Sequence, residues 1–271
     1  MFPHIKNGTV RLMDDTMHYI RFGTGSKNLI FLPGLGDGLF TVKGTALPMA
    51  FMYRAFSKEY TVYMFSRRNK LPENASTRGM ARDLKAAMDA LGIERADIVG
   101  VSMGGMIAQH FAVDHPRSTN RLVLAVTCAE PNAILSESVR EWIALAEKGD
   151  HAAFMDSQYR RIYSDAYYRK NRLMAALSAR LTRPGSYDRF LIQARACLDH
   201  NAADRLPFIS ARTLVIGGEK DRALGPEPSR RIASAIEGAQ LKMYPDQGHS
   251  PYDEIQKDFQ QTILTFLRAE A

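Results

Sequence analysis

Residues 96–105, Ala-Asp-Ile-Val-Gly-Val-Ser-Met-Gly-Gly, run from a short apolar strand pattern through Gly100-Val101-Ser102-Met103-Gly104 and straight into a helical pattern. A strand that becomes a helix within so few residues leaves no space for side chains beside the turn, which is why glycines flank it. Ile98 and Val99 supply the strand, and Met103 to His115 supply the helix. The spacing predicts a strained turn that pushes the Ser102 hydroxyl out where a base can reach it. Few short segments constrain a fold as tightly, because the strand must be central and the helix must pack back on its sheet.

The rest of the chain agrees with that demand. Strand-like runs fall at Thr9 to Met13, Met17 to Phe22, Leu29 to Leu32, Tyr60 to Phe65, Asp97 to Val101, Leu122 to Val126, Thr213 to Ile216 and Leu241 to Tyr244. Continuous apolar runs such as Leu-Ile-Phe-Leu and Leu-Val-Leu-Ala-Val mark strands covered by helices on both faces. The expected sheet is α/β, mostly parallel and eight-stranded, flanked by helices, with its first two strands as an antiparallel edge. Met80, Leu84, Met88 and Leu91 form one helix stripe, and Ile255, Phe259, Ile263 and Phe266 another. Ser250 and Asp253 have capping-box spacing around Pro251, predicting a clean start for the last helix. The alternation stops at Cys128 and resumes near Ala211. So long a stretch, helical in period and without strand signals, is too long for a loop. The expected division is a core of residues 1–128 and 209–271 with a helical cap at 129–208. The segment Arg67 to Ser76, with Pro72 and Asn74, is expected as a strand-free loop bordering the site.

With 271 residues, 45% of them hydrophobic, the chain can bury a large core. Its amino-terminal residues lack an apolar leader pattern, and no apolar run reaches the roughly 20 residues that span a bilayer. A cytoplasmic protein without stable membrane insertion is expected. Cys128 and Cys197 have neither disulfide nor metal-ligand spacing and read as core thiols, so no metal site is expected. The net charge of +7 is concentrated. Residues 160–195 carry nine basic side chains (Arg160, Arg161, Arg169, Lys170, Arg172, Arg180, Arg183, Arg189 and Arg195) against Asp165 and Asp188, which equals the whole excess. The remainder shows no repeat or nucleic-acid module, so the expected partner is a small molecule, attracted if anionic by arginines facing the cleft. Peripheral association of the basic segment with a membrane surface is the other use such charge could serve.

A serine hydroxyl is nearly inert at neutral pH and needs a base, and the base needs a carboxylate to fix its tautomer. His249 follows the last strand in Tyr-Pro-Asp-Gln-Gly248-His249, and Asp221 follows Thr-Leu-Val-Ile-Gly217-Gly218-Glu-Lys. Both lie past the carboxyl ends of strands, where open α/β sheets place their sites. Glu219 and Glu130 stand as rival positions for the acid. His110 and His115 read as structural, whereas His151 and His200 fall in the inserted stretch, where they could only contact substrate.

With Gly100-Val-Ser102-Met-Gly104, Asp221 and Gly248-His249 in that order, the chain resembles the α/β-hydrolase superfamily over its whole length. The resemblance implies Ser102 as nucleophile, His249 as general base and acid, and Asp221 as orienting carboxylate, with no cofactor. An oxyanion needs backbone donors already aimed at it. One is the amide of Met103, and the resemblance assigns the other to Leu35 in Leu32-Pro33-Gly34-Leu35-Gly36-Asp37-Gly38. Pro33 departs from the His-Gly opening commoner in that family, and Phe65-Ser66-Arg67-Arg68-Asn69-Lys70 departs from its Asp-x-x-Gly-x-Gly type of turn. Val101 argues against a haloalkane dehalogenase and makes a carbon-carbon bond hydrolase less expected. Tyr159, Tyr163 and Tyr167 recur at i, i+4 and i+8 and so share one helix face, and they, with Trp142, Met155 and Met174, are candidates both for packing and for lining a substrate pocket. The expected activity is cleavage of a small ester, thioester or lactone through an acyl-enzyme. A carbon-carbon bond hydrolase, an aminopeptidase of the same fold, or a ligand receptor with little turnover are the alternatives.

Overall fold

The computed structural model describes residues 4–269, with the side chains of 174–181, including Met174 and Arg180, outside the described residues. Its strands are β1 (Lys6–Leu12), β2 (Asp15–Phe22), β3 (Lys27–Leu32), β4 (Tyr60–Arg68), β5 (Ala96–Val101), β6 (Thr119–Ala125), β7 (Arg212–Gly218) and β8 (Gln240–Tyr244). They form one sheet in the order β1-β2-β4-β3-β5-β6-β7-β8. The first two strands pair antiparallel with each other, β2 pairs antiparallel with β4, and the pairings from β4 onward are parallel. This is the expected sheet, edge hairpin included.

Strict alternation sends neighbouring residues to opposite layers. Ile30, Ile98, Leu122, Leu124 and Val215 join the apolar layer under α2 (Thr77–Ala90), α3 (Met103–Asp114) and α8 (Glu227–Ala235). Leu29, Phe31, Val99, Val123 and Ile216 join the layer under α1 (Ala46–Met52) and α10 (Gln256–Arg268). Each aliphatic side chain fully removed from water there contributes about 1.5–3 kcal/mol. The two predicted helix stripes supply the covering: Met80, Leu84 and Met88 of α2, and Phe259, Ile263 and Phe266 of α10, are buried.

Between β6 and β7 lie α4 (Ala133–Glu147), α5 (His151–Ile162), α6 (Asp165–Leu181) and α7 (Asp188–Leu198), with no strand among the described residues of that stretch. Asn132 caps α4 by accepting from Leu135 N at 2.8 Å, and Asp150 caps α5 by accepting from Ala153 N at 3.1 Å. The inserted helices share the core rather than floating above it, because Leu135, Val139, Trp142, Phe154 and Phe190 belong to the same apolar cluster as α2 and α3.

Three local expectations are corrected. Arg67 and Arg68 are strand, since β4 keeps pairing through Met17↔Arg68 before the loop begins. Ser250 and Asp253 do not make a capping box: the Ser250 hydroxyl donates to Asp253 Oδ2 at 3.0 Å instead of accepting a backbone amide, and the helix breaks at Ile255 into α9 (Pro251–Glu254) and α10. The tyrosine ladder is not one helix, because Tyr163 leaves α5 with extended backbone (φ −97°, ψ 157°) and α6 starts anew at Asp165.

Candidate active site

Ser102 sits between β5 and α3 at φ 53°, ψ −120°, a backbone region that L-residues avoid. The surroundings hold it there. A Cβ on Gly100 would lie 2.5 Å from Gly104 O, one on Gly104 would lie 2.0 Å from Leu32 O, and one on Gly105 would meet Thr127 at 2.6 Å. Ser102 N donates to Ala125 O at 2.9 Å, and Thr127 Oγ1 donates to Ser102 O at 2.8 Å. The turn is thus bolted to β6 on its far side.

The loops after β7 and β8 interlock. Lys220 N donates to Gln247 O at 2.9 Å, and a Cβ on Gly218 would fall 2.2 Å from Gly248 O. That contact delivers Asp221 and His249 to one another. Asp221 Oδ1 accepts from the amides of Ala223 (2.8 Å) and Leu224 (3.1 Å), leaving Oδ2 for His249 Nδ1 at 2.7 Å. A carboxylate only accepts, so Nδ1 carries the hydrogen and Nε2 is left to accept from Ser102 Oγ, 2.9 Å away. Both Asp221 and His249 are 5% exposed, and in such surroundings a hydrogen-bonded charge acts more strongly than in water.

The rival acids are engaged elsewhere, Glu219 with Arg230 and Glu130 with Arg231 (2.6 Å). Met103 opens α3 and Leu35 opens the 3-10 turn Leu35–Gly38, so both amides belong to the first residue of a helical turn, where no intrahelical acceptor exists. The turn lies close against the serine: a Cβ on Gly34 would be 3.3 Å from Ser102 Cβ.

The aromatic candidates of the inserted helices pack among themselves and against the histidine loop. Trp142 is buried between α4 and α5, donating Nε1–H to Ser157 at 3.2 Å, while Ser157 donates to Glu141. Tyr159, Tyr163 and Tyr167 do stack in sequence, with ring centroids 5.0 and 4.7 Å apart. The Tyr163 hydroxyl, however, donates to Asp253 at 2.8 Å. Its joint is stitched to the histidine loop: Ile162 O accepts from His249 N at 2.9 Å, Ser164 N and Oγ donate to Glu254, and Arg222 donates to Tyr163 O and Asp165. Hydrogen bonding also corrects the reading of the inserted histidines as substrate contacts, since His200 pairs with Thr77 at 2.9 Å and His151 with Tyr187 at 2.6 Å. Burial pushes the Cys197 thiol up to about 12 and raises that of Cys128, so neither is a nucleophile at neutral pH.

Part of the basic segment is neutralised at short range. Arg160 pairs with Asp156, Arg161 with Glu137 and Glu141, and Arg195 with Glu147. Arg169, Lys170 and Arg172 remain exposed to solvent. Arg189 turns inward to Asp37, beside Arg67, a grouping that the sequence did not reveal. An acidic residue inside a glycine-rich turn was the signal available.

Among the described residues no three His, Cys, Asp or Glu side chains are placed to share a metal ion, and no helix is long and apolar enough to cross a membrane. The family described as alpha/beta hydrolase fold matches residues 27–254. The chain is similar to 2-hydroxy-6-oxononadienedioate/2-hydroxy-6-oxononatrienedioate hydrolase of Comamonas testosteroni, 29% identical over 218 residues that cover 78% of this chain and 73% of the relative. It is also similar to a protein of Caulobacter sp. (strain K31) named as a candidate carbamate hydrolase, RutD, 26% identical over 277 residues that cover 98% of this chain and 100% of the relative. Among solved structures, the enol-lactonase from Burkholderia xenovorans LB400 superposes with a TM-score of 0.84 at 23% identity, covering 97% of this chain and 100% of that one.

Proposed function

The chain belongs to the α/β-hydrolase family, and from that footing we propose that it is a cofactor-free serine hydrolase that cleaves a small-molecule ester, thioester or lactone, with residues 129–208 as the cap over its site. The unbroken hydrogen-bonded line from Ser102 Oγ through His249 to Asp221 carries the reading. Ser102 attacks the substrate carbonyl while His249 Nε2 takes its proton, and Asp221 stabilises the resulting imidazolium. The oxyanion of the tetrahedral intermediate is received by the amides of Leu35 and Met103. Collapse expels the alcohol or thiol, to which His249 returns the proton. An activated water then releases the acid by the same steps in reverse.

A fluorophosphonate probe and a chromogenic acetate ester test this. Wild type is expected to be labelled once per chain and to turn the ester over, and Ser102→Ala to lose labelling. Asp221→Asn should lower kcat by about 10⁴ if the acid holds the histidine tautomer. Undiminished turnover in Ser102→Ala overturns the proposal, and stoichiometric acylation without turnover supports a receptor instead. Carbon-carbon bond cleavage is the second reading, favoured by the activity named for the Comamonas testosteroni relative. Assaying a vinylogous diketone beside the ester separates the two by kcat/KM.

A further inference from the structure

Within the turn that carries the Leu35 amide, Asp37 N donates to Gly34 O at 3.3 Å, and Leu39 N and Phe40 N donate to Gly36 O at 3.0 and 3.1 Å. Three of the five residues in Gly34-Leu35-Gly36-Asp37-Gly38 are glycines, the freest backbone a chain can have, and a Cβ on Gly36 would meet nothing within 4 Å. Its polar anchor is Asp37, which is 3% exposed. One oxygen, Asp37 Oδ2, accepts from Arg67 N of β4 at 3.1 Å and from Arg189 Nη2 of α7 at 2.6 Å, with Gln193 Nε2 of α7 at 3.5 Å. Arg189 Nε also donates to Asp37 O at 3.3 Å, while Nη2 is shared with Arg67 O at 3.1 Å and Nη1 donates to Arg68 O at the end of β4. Arg67 Nη2 fixes the other end of the turn through Pro33 O at 2.5 Å. Leu35 therefore lies between two clamped points, and α7 closes on it so nearly that a Cβ on Gly38 would come 2.7 Å from Phe190 Cα.

We infer that Asp37, Arg67 and Arg189 form a positioning device that aims the Leu35 amide at the developing oxyanion, so that Arg189 of the inserted helices governs transition-state binding without touching substrate. The inference rests on Ser102 being the nucleophile. Two considerations favour positioning over plain stabilisation. A buried ion pair gains little over well-packed apolar replacements, so its distinctive contribution is geometric. The hub also joins three separate elements, the turn, β4 and α7, at the one turn whose amide must not move during reaction.

The test is Arg189→Gln and Arg189→Lys in the full chain, read by melting temperature, by kcat and KM on an ester, and by affinity for an alkyl boronic acid whose serine adduct mimics the tetrahedral intermediate. Misaiming a donor predicts a fall in kcat of between about 10- and 100-fold for Arg189→Gln, with KM within about twofold and boronate affinity lowered in parallel. Arg189→Lys keeps a charge on Asp37 but loses the planar fork across β4, and should fall between the two. If Arg189→Gln does not fold, a parallel loss of kcat and boronate affinity in folded Arg189→Lys carries the same support. A folded variant of either kind with wild-type kcat and boronate affinity, or with a loss confined to KM, overturns the inference. Wild type that neither labels with fluorophosphonate nor binds boronate instead fails the serine-hydrolase reading itself, and the inference with it.

Discussion

Ser102 is held in a backbone well that only glycine enters freely, and the neighbours that hold it there, Gly104, Gly105 and Thr127, are packed too closely to relax. Such a residue stores on the order of 1–3 kcal/mol of strain. Replacing it by alanine or glycine removes the hydroxyl in both cases, but only glycine releases the strain. Glycine also loosens the unfolded chain, which returns about 0.4–1 kcal/mol of the gain. Ser102→Gly is therefore expected to be more stable than Ser102→Ala by about 1 kcal/mol in urea unfolding, with both inactive. Equal stability of the two would mean that the strain is no larger than the roughly 0.4–1 kcal/mol that glycine gives back through the unfolded chain. Gly100 and Gly104 announced this geometry in the sequence, because the absence of a side chain at fixed spacing is a local fact. Asp37 and Arg189 did not announce theirs, since 152 positions separate them and nothing in either neighbourhood names the other.

At the scale of elements, α4 does more than begin the inserted stretch. Asn132 caps it through Leu135 N, and the same side chain donates Nδ2–H to Leu224 O at 2.7 Å, three residues beyond Asp221. Leu224 N in turn donates to Asp221 Oδ1. Asn132→Ala should thus cost about 1 kcal/mol for the lost cap and a further 0.5–1.5 kcal/mol for the lost tether. Because the tether ends on the acid loop, kcat should fall along with stability, whereas Asp150→Ala at the cap of α5 should lower stability alone. Equal kcat in both variants would show that the tether does not reach the chemistry. Strands and the long amphipathic helices were legible because their periods are local and their apolar faces unambiguous. The joint at Tyr163 was not, because tyrosines at i, i+4 and i+8 fit one helix face as well as they fit a stack across a break. Ser164 was the overlooked sign: its hydroxyl accepts from Tyr167 N and caps the new helix while donating to Glu254. The histidine loop had the converse problem. Ser250 and Asp253 have the right spacing for a cap, but Asp253 already serves Tyr163 from the inserted stretch, a contact that no local pattern reveals.

Across the whole molecule, the inserted helices return to the main sheet along a seam of buried histidines. His200, just past α7, shares a hydrogen bond with Thr77 at the start of α2, and its ring meets that of His110 on α3 edge-on, with centroids 5.1 Å apart. Beside them Arg205 bridges His110 Nδ1 at 3.2 Å and Asp114 at 2.6 Å. Burial first, and the Arg205 charge second, lowers His110 to about 4. Burial, reinforced by His110, lowers His200 to about 3. In the unfolded chain both take up a proton near pH 6.5, so between that pH and about 4 the unfolded state binds protons that the native state refuses. Stability present in full above pH 6.5 is therefore lost as the pH falls, by about 1.4 kcal/mol per pH unit for each histidine. Asp114, held low chiefly by its hydrogen bond to Arg78, adds its own loss only once the pH drops into the carboxylate range, below about 4. Urea unfolding at pH 7, 6 and 5 should show a falling free energy of unfolding across this window, with the slope reduced in His200→Gln whatever that variant's stability at pH 7. A flat profile from pH 7 to 5, or a slope unchanged in His200→Gln, would place the acid sensitivity elsewhere.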